Sequence, residues 1–363
     1  VDLVIDLVYL AHVVVAVQVL EFTAGLLVVV AVVDAAVRTF VLPRPSGVTL
    51  TRWVARAVRA VFDLVARMAN SYEGRDRVMA LYGPVTLLSF AVAWLGGTGI
   101  GFALMFHAVS SQGWRGAINS SGSALFTLGF VVPSSGAIVA LDFLEAGMGL
   151  ILVALLIAYL PTIYSAFSRR EVLVSQLTVR AGVPPTPAEL FIRAHRVGYL
   201  DRLDELFVQW QLWFVEMEET HTSLSMLTFF RSTNPNRSWL TSAGCILDAA
   251  AFKASTLDVP NTPEPQLCIR AGFLALRAIG RFFRIPFDPD PGPADPITIA
   301  RDEFLDVYDT LAAAGVPLRP DREQCWKDFA GWRVNYDSIL IPLADLVAAP
   351  YAPWISDRSL APR

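Results

Sequence analysis

The sequence predicts an all-α membrane protein: three transmembrane helices in its first half, a re-entrant helix and loop between the last two, and an all-α soluble C-terminal domain. Three observations point there. Apolar residues make up 54% of the chain, charged residues 17%, and the mean hydropathy is +0.49, too apolar for an ordinary soluble domain. The excess is concentrated, because no Asp, Glu, Lys or Arg lies between Arg77 and Arg115, and only Asp142 and Glu145 lie between Arg115 and Arg169. An apolar run of about 20 residues spans a bilayer, so this region holds two spans and something between them. Charged residues, Pro clusters and amphipathic patterns return after Ser168 and continue to the C-terminus, as expected of a water-exposed domain.

Residues 1–43 form an N-terminal region and the first span. The apolar stretch runs from Leu3 to Leu42, interrupted at Asp6, His12, Gln18, Glu21 and Asp34, with Phe22 to Leu42 the cleanest span. No Ala-x-Ala-like cleavage site follows a basic start, so a retained anchor is expected rather than a signal peptide. Residues 1–16 read either as an extension of the same helix or as a separate interfacial piece.

Residues 44–77 are basic and amphipathic. Arg52, Arg56, Arg59, Asp63 and Arg67 repeat at helical spacing while Trp53, Val54, Ala57, Val58, Val61, Leu64 and Val65 cover other faces, the pattern of a helix lying on anionic lipid. Eight arginines between Arg38 and Arg77, against the single Arg115 between the later spans, place this segment in the cytoplasm by the positive-inside rule. Arg169 and Arg170 fall on the same side. Three spans then leave the N-terminus outside and the C-terminal domain in the cytoplasm of a multi-pass cell-membrane protein.

Residues 78–168 hold the second and third spans and, between them, a segment running from Trp114 to Pro133 that is too small and polar to face lipid. Non-helical backbone at membrane depth is tolerated only where protein or a water-filled path surrounds it, which makes a re-entrant loop the natural reading. Asp142 and Glu145, near the outer end of the third span, share a helical face. Intramembrane acids are functional candidates by default. They can brace the loop through Arg115 or backbone amides, draw cations to a mouth, or sit on a solvated helix end. Gly97-Thr98-Gly99-Ile100-Gly101 lies within an uncharged span with no preceding strand, so close helix packing is expected rather than phosphate binding.

The order span, short helix, Thr127-Leu128-Gly129-Phe130, Pro133, span, Arg169-Arg170-Glu171 resembles the pore module of the potassium-channel superfamily. The whole chain is similar to a bacterial ion-channel-like family within it, through Phe229-Phe230-Arg231-Ser232, Ser238-Trp239-Leu240 and Phe329-Ala330-Gly331-Trp332-Arg333. The resemblance implies a selectivity filter at Thr127, Leu128, Gly129, Phe130 and Val131, a homotetramer around one axis, K+ or Na+ as the passing ion, and lipid around the spans. Residues 78–168 then constitute a pore module. Gly147 and Gly149 in the third span become gating-hinge candidates beside the packing role small residues have in membranes.

Carbonyl oxygens that replace an ion's hydration shell require backbone that glycine adopts freely. Val131 stands where the resembling filters have a second glycine, and Val132 where they have an aspartate. A β-branched residue resists φ > 0. Three alternatives stay open: a shorter filter, a weakly selective cation pore, or a non-conducting scaffold or sensor whose C-terminal domain binds a partner. An ordinary extracellular loop is the plain competitor.

Residues 169–363 read as a helical domain, punctuated at Thr233-Asn234-Pro235-Asn236 and at Asp288-Pro289-Asp290-Pro291-Gly292. Trp210, Trp213, Trp239, Trp326 and Trp332 read as core. Glu218 and His221 have the Glu-x-x-His spacing of di-iron bundles on a helix predicted over Tyr199 to Phe230, without the second pair such a site needs, so a structural histidine is expected. Pro293 and Ile299 spoil a calcium loop at Asp288. Cys245, Cys268 and Cys325, odd in number and without ligand spacing, predict neither disulfides nor a metal site. No catalytic set and no cofactor motif emerge. A net charge of −4 with no basic face on the soluble domain speaks against nucleic acid.

Overall fold

A computed structural model describes residues 2–40, 49–69, 71–133 and 135–358. The described chain is helical, with one isolated bridge between Leu257 and Leu318 and no strand among those residues. Three helical segments, Tyr9–Phe40, Tyr72–Val109 and Gly136–Ala181, are long and apolar enough to cross a membrane. The predicted end of the first span at Leu42 lies outside the described residues. The chain divides into two compact units, one of residues 1–64 and 84–162, the other of 65–83 and 163–363.

In the first unit, α1 (Asp2–Phe40) is continuous, so residues 2–16 extend the first span as part of one helix. Tyr9 to Leu20 is exposed all round, as an apolar helix is when lipid is its solvent. Below that stretch α1 packs on α4 (Tyr82–Val109) through small residues: a Cβ on Gly25 would sit 2.4 Å from the Gly101 carbonyl oxygen, and one on Gly97 would meet Val32 at 2.8 Å. The glycine cluster of the second span is thus a packing face. Helix α2 (Thr49–Arg67) has no buried residue, and its Arg59 pairs with Asp63 one turn on at 2.9 Å. Helix α5 (Gly113–Leu125) is 13 residues, about 20 Å, too short to cross a hydrocarbon core of about 30 Å. Phe102, Met105 and Phe106 of α4 close a core with Val29 of α1, Ala117 of α5, and Ile138 and Leu141 of α6 (Gly136–Ala181).

The second unit is built on the last part of α6 and on α7 (Pro187–Arg196), α8 (Leu203–Ser223), α9 (Trp239–Ser255), α10 (Glu264–Phe283), α11 (Arg301–Ala313) and α12 (Arg322–Val347). Almost all of α9 is buried, packed among α7, α8, α10 and α12, and its Phe252 stacks with Phe304 and Trp354 and meets Phe329 at a tilt. Thr186 and Asp321 cap the N-termini of α7 and α12 by accepting from Glu189 N at 3.2 Å and Gln324 N at 3.0 Å. Helix α3 (Tyr72–Ala80), though it precedes α4 in sequence, also belongs to this unit: its Asp76 pairs with Arg231, while the Tyr82 ring meets Phe229 edge-on. All three cysteines are buried and free.

The helix expected to run to Phe230 stops at Ser223, and residues Ser225–Phe229 form a 3-10 turn. Arg170, 3% exposed, anchors this turn. Its guanidinium donates to the Leu227 carbonyl at 2.9 Å and to the Phe230 carbonyl at 2.6 Å, and the Trp239 indole takes Thr228 O at 3.2 Å. A buried cation and an indole thus hold the carbonyls of the 3-10 turn that follows α8.

Candidate functional site

The segment after α5 is shaped by the serines of that helix. The Leu128 amide donates to the Ser123 carbonyl at 2.8 Å, the Thr127 amide to Ala124 O at 3.0 Å, and the Val131 amide to the Ser123 hydroxyl at 3.3 Å. Ser123 therefore holds both ends of Leu128–Val131. Thr127 has φ +53° and Gly129 φ +69°, so left-handed backbone occurs at alternate residues. For Gly129 this conformation is free; for Thr127 it is strained and persists because the helix end fixes it. Val131 is not in the left-handed region, in keeping with its branched side chain.

Residues Phe126 to Phe130 are all exposed, and among them Leu128 and Phe130 are each more than 60% exposed, as is Val132 further on. A Cβ on Gly129 would meet nothing within 4 Å. One chain thus leaves this loop uncovered.

Beneath it the helices are locked. Ser121 Oγ lies 2.6 Å from Glu145 Oε1 on α6 and 3.0 Å from the Gly99 carbonyl on α4, and Glu145 is fully buried. Glu145 is joined to α5 by this serine and not to Arg115, which is exposed and forms no ion pair among the described residues. Asp142, one turn earlier, is half-buried with no hydrogen bond to a described residue. The two hinge candidates differ: a Cβ on Gly149 would lie 2.5 Å from the Leu125 carbonyl oxygen, whereas one on Gly147 would meet nothing within 4 Å. Gly149 is a close-packing position under the loop. At the C-terminal end of α4, His107 stacks on Trp114 with ring centroids 4.1 Å apart and bonds Glu21 at 2.8 Å, joining α1, α4 and α5.

Sequence reasoning picked out the loop and Glu145 but passed over Ser121 and Ser123, whose only signal was a run of small polar residues on a helix flanked by apolar spans. In the second unit Glu218 and His221 are not brought together, because Glu218 faces out while His221 is buried against Trp239. The His221 Nδ1–H donates to the Met217 carbonyl at 3.1 Å, and Nε2 lies 3.4 Å from Arg170 Nη1. Burial, with the Arg170 charge second, holds its pKa well below the ordinary 6.5. Asp288 accepts from Asp290 N at 3.0 Å in a local turn.

Comparisons with protein-family models, with curated proteins and with solved structures find no match to this chain.

Proposed function

We propose that the chain is one subunit of a pore-loop cation channel in which four copies bring Thr127–Val131 around a common axis. The observation that carries this reading is the uncovered loop itself. A helix too short to cross the membrane, set between two that are long enough, ends in exposed backbone with left-handed residues at Thr127 and Gly129. Alternating left-handed residues turn successive peptide planes so that carbonyls can share one side, the arrangement with which filters replace an ion's water. One loop per chain requires an oligomer. The Ser121–Glu145 lock and the Gly149 contact are what a filter support needs, and the arginine asymmetry favours a cytoplasmic C-terminal domain.

With Val131 outside the left-handed region, the filter is shorter than a full potassium filter, and K+ and Na+ are both expected to pass. Ion flux into liposomes tests the reading. Gly129→Val should abolish flux, since a branched side chain resists φ +69°. Val131→Gly should raise selectivity for K+ over Na+. A label on a cysteine placed at Ser111 should be reachable from outside cells. If the reconstituted protein passes no ion and Gly129→Val changes nothing measurable, the non-conducting scaffold takes the channel's place.

A further inference from the structure

Within the second unit, the end of α6, helix α7 and the start of α8 enclose a groove of about 610 Å³, in the size range of small-molecule sites. Its lining carries Arg180, Arg193 and Arg196 against the single carboxylate of Glu189. The formal charge there is +3 − 1 = +2. Glu205, close by on α8, is taken up by Arg202 at 2.9 Å and is not part of the lining. The remaining surface is apolar, with Leu190, Ala194 and Leu203 buried beneath it and Val179 and Val197 exposed at its lips.

Two of the arginines are already positioned. Arg193 donates to the Val179 carbonyl at 2.7 Å and pairs with Glu189, which fixes its guanidinium before any ligand arrives. Arg180 lies over the Tyr199 ring, 5.4 Å from its centroid, which orients its guanidinium at the groove.

We propose that this groove binds a phosphomonoester carried on an apolar body. A phosphomonoester brings a charge of about −1.5 to −2 near neutral pH and three acceptor oxygens, which suits a site of net +2, and the guanidinium fork favours phosphate geometry. A carboxylate would leave one positive charge unanswered. The apolar body lies on Leu190, Ala194 and Leu203 and between the valine lips. The site owes nothing to the pore-loop reading and stands or falls separately.

The test uses the full chain in phosphatidylcholine nanodiscs, titrated calorimetrically with phenyl phosphate, inorganic phosphate and phenol. Phenyl phosphate should bind at least about tenfold more tightly than either fragment. Arg180→Gln should weaken it by about tenfold or more, the loss of a charge-assisted hydrogen bond. Val197→Glu, which sets a carboxylate at an exposed lip, should do the same without shifting the melting temperature of the unliganded protein. Lysophosphatidic acid added to the nanodisc distinguishes two sources: displacement of phenyl phosphate assigns the group to a lipid, and no displacement assigns it to a water-soluble molecule. Absence of phenyl phosphate binding, equal affinity for inorganic phosphate, or full affinity in Val197→Glu would overturn the proposal.

Discussion

Ser121 and Glu145 lie 2.6 Å apart, oxygen to oxygen, and join α5 to α6 where α4 also arrives through the Gly99 carbonyl. Ser121→Ala leaves a fully buried carboxyl with no partner, a loss of about 1–3 kcal/mol. Glu145→Gln, which keeps an oxygen and adds a donor, should cost less. Melting temperatures of the two single variants and the double variant in detergent measure the coupling. If the two effects simply add, the pair is not the tie between the helices.

The two glycines of α6 should separate cleanly. Gly149→Ala sets a methyl group 2.5 Å from the Leu125 carbonyl oxygen, so backbone must move and stability should fall by about 1–3 kcal/mol. Gly147→Ala has open space and should be neutral or slightly stabilising through helix propensity. Thermal unfolding of both variants checks the contrast, and equal effects would contradict it.

Acid should weaken the second unit through His221. Its folded pKa lies well below 6.5, so between that depressed value and about 6.5 the unfolded chain binds a proton that the folded chain refuses. The stabilisation is complete above about pH 6.5 and is lost as pH falls from there towards the depressed value. His221→Gln should flatten this part of the profile relative to the parent. An unchanged slope in the variant would exclude His221 as its source.

Arg333, fully buried, bonds Asp248, Asp337 at 2.8 Å and the Trp354 carbonyl at 2.6 Å, and Tyr336 donates to Asp248 at 2.8 Å. Arg333→Met strands two carboxylates and should cost about 3–5 kcal/mol. Adding Asp248→Leu should recover part of that loss, because burying one unpaired charge costs less than burying two. Denaturant titration followed by tryptophan emission would show it, and a double variant weaker than the single one would refute it.

Gaps between charges made the three apolar helices legible, because lipid admits few charges, and runs of small polar residues made α5 legible as something other than a span. The continuity of α1 across residues 2–16 was left open, since Asp6 and His12 interrupt a pattern that the backbone nonetheless carries through. The end of α8 was not readable from the local pattern, and the turn after it is held by Arg170, which stands 57 residues before the Leu227 carbonyl it bonds. At the loop, the left-handed Gly129 was foreseeable from residue type. The left-handed Thr127 was not, since threonine avoids that region and adopts it here at a helix end. The arginine groove escaped notice for a similar reason: Arg180, Arg193 and Arg196 look like ordinary surface charges until three helix ends converge.

The pairing of Asp76 with Arg231 spans 155 residues, and Arg231 also bonds the carbonyls of Val347 and Ala348. At a synthesis rate of about 5–20 residues per second, Asp76 is made some 8–30 seconds before Arg231, and Val347 follows several seconds later. During that interval Asp76 lacks its partner Arg231. The second unit therefore closes only after Ala348 has been made, and a ribosome stalled between residues 77 and 230 would leave a chain in which Asp76 has no Arg231, a natural handle for chaperones and proteases.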